Sequence, residues 1–151
     1  MKREKIYFIP ILLLMTLTGC PMGDECDVIT VYNNSKVDIL YYIATGGGGT
    51  VFPDTILSLE NYCSEIESNK FRSIEYTPLS DIYKSGKTDT LCLFILDADT
   101  VKRYTWEEIR SEYKILCRYD LSLKDFKRLK YHIYYPPTEA MKDMKMYPPY
   151  P

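Results

Sequence analysis

The sequence predicts an α+β fold that is mainly β, with sandwich-like antiparallel sheets of about six strands and two or three short helices. Apolar and polar residues alternate with a period of two over 37–43, which is typical of a strand with one buried face. The run 90–96 is apolar on both faces and indicates a central strand covered on each side. Helical spacing is confined to brief stretches that follow a capping residue, so short helices are expected.

The first strands are expected to form a hairpin. Segments 28–32 and 37–43 are rich in β-branched and aromatic residues, and they flank a turn-forming cluster at 33–36. Gly46 to Gly49 are expected to form a surface loop. A phosphate-binding loop would need a Lys-Ser/Thr pair opening a helix after the glycines, and the sequence has none there.

Short elements surround the central strand. A strand over 71–76 and one or two helical turns over 78–84 precede it, and Gly86 is expected to end that helix. After the central strand, Thr105 and Glu108 have the spacing of a capping box, so a helix is predicted to begin at residue 106.

Alternation returns over 113–121. It places Cys117 and Tyr119 on one face of a strand and Arg118 and Asp120 on the other. The sequence therefore predicts a strand with two chemically different faces.

The end of the chain predicts one more helix and one more strand. Ser122 is expected to cap a helix that directs Phe126 and Leu129 inward, and a last strand is predicted over 131–135. The segment 138–151 is rich in Pro, Tyr and Met. It is expected to pack along the domain in extended form, with a recognition segment as the alternative.

Residues 1–19 have the features of a bacterial lipoprotein signal peptide. A cationic start precedes an apolar run of about 12 residues, too short to cross a bilayer, which needs about 20. The run ends in a lipobox, Leu-Thr-Gly-Cys, at 17–20, so Cys20 is the predicted lipid attachment site. The anchor predicts an outer-membrane location, on the periplasmic face or the cell surface, and a membrane association through acyl chains.

Cleavage at this point would leave 132 residues (151 − 19), enough for one domain. The predicted parts are a tether at 20–26, a single globular β-rich domain at 27–137 and the tail at 138–151. The formal charge changes from −2 to −4, because three basic residues and one acidic residue are lost (16 − 20). A weakly acidic chain gives no electrostatic reason to expect a nucleic-acid partner.

Four cysteines follow the anchor, Cys26, Cys63, Cys92 and Cys117. Export would place them in an oxidising compartment, and four cysteines allow three pairings. A bridge between Cys26 and Cys63 and another between Cys92 and Cys117 suit their surroundings. Four idle or buried thiols are the alternative. No Cys or His cluster has zinc-ligand spacing, so neither a metal nor a cofactor is predicted.

One motif invites an enzymatic interpretation. Four apolar residues at 93–96 are followed by Asp97-Ala98-Asp99-Thr100-Val101, which resembles the first motif of haloacid-dehalogenase phosphatases. In that family the first Asp is the nucleophile and the second is a general acid, so the resemblance implies a phosphohydrolase using Asp97 and Asp99. The family's Gly-Thr continuation is missing, and little chain follows. A strand that ends at a helix cap gives the same residues, and this second interpretation is favoured.

Tyrosine content is the one unusual feature of the composition, with 15 residues. In the pairs at 41–42 and 134–135, alternation directs one ring inward and one outward, so some aromatic surface is expected to be exposed. Such a surface suits contact with a glycan or a protein. His132, the single histidine, is expected to pack in its strand rather than act as a base.

These observations predict a non-enzymatic, lipid-anchored binding or structural module. An inhibitor or immunity-type partner of an envelope protein is the alternative.

Several segments together resemble small lipoproteins of Bacteroides-type gut bacteria. They are Tyr-Asp-Leu-Ser-Leu at 119–123, Trp-Glu-Glu-Ile at 106–109 and Tyr-Tyr-Pro-Pro at 134–137, with similar stretches at 31–35 and 53–55. The likeness covers most of the chain after the signal. It implies a Gram-negative outer-membrane setting and assigns neither an activity nor site residues.

Overall fold

The structure is a computed structural model that describes residues 26–44, 64–76, 78–85 and 89–151. The strands are, in chain order, β1 (Asp27–Asn33), β2 (Ile39–Ala44), β3 (Ser64–Ile66), β4 (Lys70–Tyr76), β5 (Leu91–Asp97), β6 (Cys117–Leu121), β7 (His132–Tyr135) and β8 (Lys145–Tyr147). The helices are α1 (Leu79–Ser85), α2 (Ala98–Arg103), α3 (Trp106–Ser111) and α4 (Leu123–Arg128), with a 3-10 helix at Glu139–Met141. The predicted signal peptide, Cys20, the glycine loop, Cys63 and Gly86 lie outside the described residues.

These strands form two sheets. A three-stranded sheet has the order β4-β1-β7, and a five-stranded sheet has the order β3-β2-β5-β6-β8. Neighbouring strands are antiparallel except for β1 and β7, which are parallel. The predicted α+β, mainly β, sandwich-like class is confirmed. The described residues contain eight strands and four α-helices, more than the sequence predicted.

The main core lies between the two sheets. Ile29, Val31 and Ile133 of the three-stranded sheet are completely buried there. The five-stranded sheet contributes alternate residues from each of its long strands, namely Ile39, Tyr41, Ile43, Leu91, Leu93, Ile95, Cys117, Tyr119 and Leu121. The period-two pattern of the sequence therefore marks the faces that meet in the sandwich.

Strand β5 is buried on both faces, as its sequence predicts. Residues 91–96 are all at most 5% exposed. Leu93 and Ile95 face the three-stranded sheet, while Phe94 and Leu96 pack with Ile109 of α3 in a second cluster. The five-stranded sheet is thus covered on both sides along its central strand.

The predicted hairpin between the first two strands is wrong, although both strands exist. β1 pairs with β4 and β7, whereas β2 pairs with β3 and β5, so the turn between β1 and β2 carries the chain from one sheet to the other. The buried amide of Asn33 stabilises this crossing. Its Nδ2 donates to the carbonyl oxygens of Val37 at 2.8 Å, Ile66 at 3.0 Å and Glu67 at 3.1 Å.

Both predicted helix caps are present. Thr105 caps α3 in a capping box with Glu108, and the hydrogen bonds from Thr105 lower the pKa of the Glu108 carboxyl. Ser122 caps α4 in a second capping box, with Asp125 as its partner. None of the helices in the described ranges has the length and apolar character needed to cross a bilayer.

The C-terminal tail packs against the domain, as expected. It forms the 3-10 helix and then β8, which pairs antiparallel with β6 and completes the five-stranded sheet. Met141, Met144 and Met146 are at most 5% exposed. The predicted strand at 113–121 is confirmed only over its last five residues, as β6.

Candidate functional site

The outer face of the three-stranded sheet points away from the core. Its side chains come from alternate positions of β1, β4 and β7, namely Val28, Thr30, Tyr32, Phe71, Ser73, Glu75, His132 and Tyr134. The strand register arranges them in cross-strand rows, with an aromatic row of Phe71, Tyr32 and Tyr134 beside a polar row of Ser73, Thr30 and His132. We call this set the outer face.

The aromatic row is a continuous ring cluster. Tyr32, on the central strand, stacks on Tyr134 with ring centroids 4.8 Å apart and planes 16° from parallel. On its other side Tyr32 contacts Phe71, with centroids 5.4 Å apart and a tilt of 35°. The ring of His132 lies 5.5 Å from that of Tyr32, tilted by 52°. Each ring fixes the orientation of its neighbour, so the cluster is preorganised.

Apolar surface at this site faces solvent. Phe71 is 62% exposed and Val28 is 48% exposed, the two largest values among the exposed large apolar side chains that the structure describes. Single exposed apolar residues are common, but an exposed apolar group beside a stacked aromatic cluster is typical of interaction surfaces.

The polar row places hydrogen-bonding groups next to the rings, of which Ser73 is exposed, His132 is half-buried and Thr30 is 7% exposed. The hydroxyl oxygens of Thr30 and Ser73 lie 2.9 Å apart and are hydrogen-bonded to each other. His132 is level with Thr30 in the register, and Glu75 lies one row further along β4. Among the outer-face residues, Glu75 is the one carboxylate, and Lys and Arg are absent. This surface suits an uncharged ligand with hydroxyl groups better than a polyanion.

The prediction that paired tyrosines point in opposite directions is confirmed. Tyr41 is 2% exposed in the core, whereas Tyr42 belongs to the opposite face of the five-stranded sheet. Tyr134 lies on the outer face beside Tyr32, while Tyr135 is at the adjacent position of β7 and so faces the core. His132 packs against an aromatic ring in an edge strand, as expected.

The two aspartates of the phosphatase-like motif are positioned by α2. Asp97 is the N-cap of this helix, and its Oδ1 accepts a hydrogen bond of 2.6 Å from the backbone N–H of Thr100. Asp99 is exposed and lies within 4.0 Å of the cationic groups of Lys102 and Arg103. A helix cap and a surface ion-pair cluster account for both carboxylates.

Metal-binding geometry is absent from the described ranges. No group of three or more His, Cys, Asp or Glu side chains in these ranges is arranged to hold an ion. Nothing in the structure tests the phosphohydrolase alternative with Asp97 and Asp99 directly, and it stays a prediction.

The structure bears differently on the two suggested disulfides. Cys92 and Cys117 lie on opposite faces of the five-stranded sheet, because Cys92 is paired in register with Asp120 and Cys117 with Ile95. The suggested bridge between Cys92 and Cys117 is therefore not formed, and Cys117 is a buried thiol. Burial raises the pKa of Cys117 to about 11. Cys26 is exposed, and its suggested partner lies outside the described residues, so that bridge stays a prediction.

The structure contains a buried polar network on β6 that the sequence did not predict. Arg118 and Asp120 of β6 are 1% and 2% exposed, and Arg118 Nε donates to Asp120 Oδ1 at 2.6 Å. Cys92 Sγ lies 3.3 Å from both side chains, and Lys145 Nζ lies 3.0 Å from Asp120 Oδ2. Burial alone would raise the pKa of Asp120, but hydrogen bonds from Arg118 and Lys145 outweigh it and lower this pKa. The network ties β5, β6 and β8 together.

Comparison with known proteins finds no matching family model, no similar curated protein and no similar solved structure.

Proposed function

We propose that this protein is a lipid-anchored binding protein of the outer membrane, without catalytic activity, that holds a neutral glycan on its outer face. One observation carries the proposal. The exposed ring of Phe71 joins the preorganised ring cluster of Tyr32 and Tyr134, beside exposed Ser73, whose hydroxyl is hydrogen-bonded to that of the largely buried Thr30.

The chemistry of a sugar ring matches this arrangement. A pyranose has an apolar C–H face that packs on aromatic rings and hydroxyl groups that both donate and accept hydrogen bonds. The outer face offers apolar contact along one row and hydroxyl and imidazole groups along the next. Because Glu75 is its single charged residue, the face has no cation to attract phosphate or an acidic polymer.

The predicted anchor supports a role at the membrane. The lipobox ending at Cys20 is followed closely by the start of β1 at Asp27, so a short tether joins the acyl chains to the three-stranded sheet. Two or more acyl chains hold a protein on a membrane stably. We expect palmitate incorporation to be lost in Cys20→Ala, and protease shaving of intact cells would distinguish the cell surface from the periplasmic face.

Glycan binding can be tested directly with purified protein. Affinity electrophoresis through gels containing dextran, mannan or galactan would measure retention, with alginate as an acidic polysaccharide of similar size. We expect retention by at least one neutral polymer and its loss in Phe71→Ala. Tyr104→Ala is the matched control, because Tyr104 is also exposed, at 42%, but lies beyond the outer face.

Two results would contradict the proposal. Retention by neutral polymers that was unchanged in Phe71→Ala would remove the outer face from the site, and a preference for alginate would contradict the charge argument. Mg²⁺-dependent phosphate-ester hydrolysis that disappeared in Asp97→Asn would establish the enzymatic alternative instead.

A further inference from the structure

Strand β4 forms one edge of the three-stranded sheet in the part of the chain that the structure describes. Within the ranges that the structure describes, no strand pairs with β4 on the side away from β1. Its residues Phe71, Arg72, Ser73 and Glu75 are exposed. An edge strand of seven residues is a template for pairing with another strand.

The hydrogen bonds of β1 show which peptide groups of β4 face outward. Thr30 and Asn34 donate their backbone N–H groups to β7, so the alternate residues of β1, including Val31, direct theirs to β4. Val31 is paired with Arg72. The peptide groups of Phe71, Ser73 and Glu75 therefore point away from the sheet, and these three successive pairing positions have no strand partner among the described residues.

We infer that this edge pairs with the same edge of a second copy of the chain, antiparallel and centred on Ser73. Charge and the number of pairing positions together select this register. It opposes Ser73 to Ser73 and Arg72 to Ile74 of the second copy, so no like charges face each other. A pairing centred on Phe71 would oppose Arg72 to Lys70, and one centred on Glu75 would oppose two carboxylates. A pairing centred on Arg72 would oppose two guanidinium groups, and one centred on Ile74 would use only two of the three outward positions within β4. Like charges directly opposite each other are destabilising.

The pairing has a consequence for the glycan site, and this part rests on the proposed function. A two-fold axis through Ser73, perpendicular to the sheet, leaves both outer faces on the same side of a six-stranded sheet. Phe71 then lies beside Glu75 of the second copy, which adds a carboxylate acceptor next to the exposed ring. Two sites facing one way bind a polymer bivalently, which raises the apparent affinity without new contacts.

Cysteine cross-linking in native envelopes tests the register. In Ser73→Cys the two new thiols would be directly opposed, with Cα atoms about 5.5 Å apart, within the range for a disulfide. In Glu75→Cys, the matched control on the same strand and face, the two positions would be about 13 Å apart along the strand. We expect a covalent dimer under mild oxidation for Ser73→Cys alone, above the level of the parent chain. No dimer, or equal dimer in both variants, would overturn the inference.

A second variant tests the pairing without cross-linking. Ser73→Pro removes an N–H that points out of the sheet, so the fold should keep its circular dichroism spectrum while the dimer loses two central hydrogen bonds. We expect analytical ultracentrifugation to show that the dissociation constant of the dimer is raised by roughly tenfold or more. A parent chain that was monomeric at all concentrations yet bound glycan would overturn the dimer and leave the proposed function intact.

Discussion

Replacement of Asp120 by Ala tests the buried network that joins β5, β6 and β8. The substitution removes the carboxylate that accepts from Arg118 at 2.6 Å and from Lys145 at 3.0 Å. Arg118 is 1% exposed and cannot reach solvent in compensation. Removing one partner of a buried ion pair typically costs about 3–5 kcal/mol, a large part of the roughly 5–15 kcal/mol that stabilises a domain.

Urea denaturation followed by circular dichroism would measure this loss. With an m-value of about 2 kcal/mol per molar, the midpoint should fall by roughly 2 M. Asp143→Ala is the control, because it breaks an ion pair of 3.5 Å between Arg128 and Asp143 whose side chains are 45% and 66% exposed. Exposed pairs contribute about 0–1 kcal/mol. A midpoint shift in Asp120→Ala no larger than in the control would refute the argument.

The same network predicts an acid dependence. The folded-state pKa of Asp120 is lowered relative to an ordinary value of about 3.9 in the unfolded chain. Its contribution is therefore fully present above about pH 4 and is lost as the pH falls through the folded-state pKa. The difference in unfolding free energy between the parent chain and Asp120→Ala should be largest near pH 7 and should shrink below pH 4. A difference that grew on acidification would contradict the sign.

Three further predictions concern local features. Ser122→Ala removes the cap of α4 and its 2.6 Å hydrogen bond with Asp125 and should cost about 1 kcal/mol in urea denaturation; no change would argue against the cap. After mild reduction, iodoacetamide at pH 8 should alkylate exposed Cys26 but not Cys117, whose pKa is raised to about 11 by burial. Equal labelling in peptide mass spectra would contradict the burial. Truncation after Pro137 removes β8 and three buried methionines. Burial of each methionine contributes about 1.5–3 kcal/mol, so the truncated chain should unfold. A native circular dichroism spectrum would show that the tail is dispensable.

The elements that sequence predicted well are those with local causes. The run at 90–96 is apolar on both faces because β5 is covered on both sides, and the caps at Thr105 and Ser122 depend on a partner three residues away. Burial of the methionine-rich tail was also predictable, since so many apolar residues are not expected at a solvated end.

What the sequence could not predict depends on long-range pairing. The turn after β1 has hairpin chemistry, but β1 pairs with segments about 40 and 100 residues further on, as the register of Thr30 with Ser73 and His132 shows. The outer face exists only through these pairings, since its three rings come from three distant segments. The aromatic alternation in each strand was visible, but nothing local showed that the rings meet.

Burial of Arg118 and Asp120 was not predictable for a related reason. Alternation correctly separated them from Cys117 and Tyr119, yet charged residues on one side of a strand usually face solvent. Here that side of β6 is buried. Lys145, which also contacts Asp120, comes from β8, a strand that the tail forms far along the chain. The available signal for a buried ion pair was the presence of two opposite charges, Arg118 and Asp120, at alternate positions of an otherwise apolar strand.

Hydroxyl-radical footprinting of native envelopes tests the central claim most directly, because it works even when the ligand has not been identified. Oxidation of exposed aromatic side chains is compared between purified protein and protein in intact envelopes, with Phe71 as the reporter and Tyr104 as the internal control, 62% and 42% exposed. If the outer face holds a ligand in place, Phe71 should become protected in envelopes while Tyr104 stays as reactive as before. Equal reactivity of Phe71 in both preparations would contradict the assignment of this face as the binding surface.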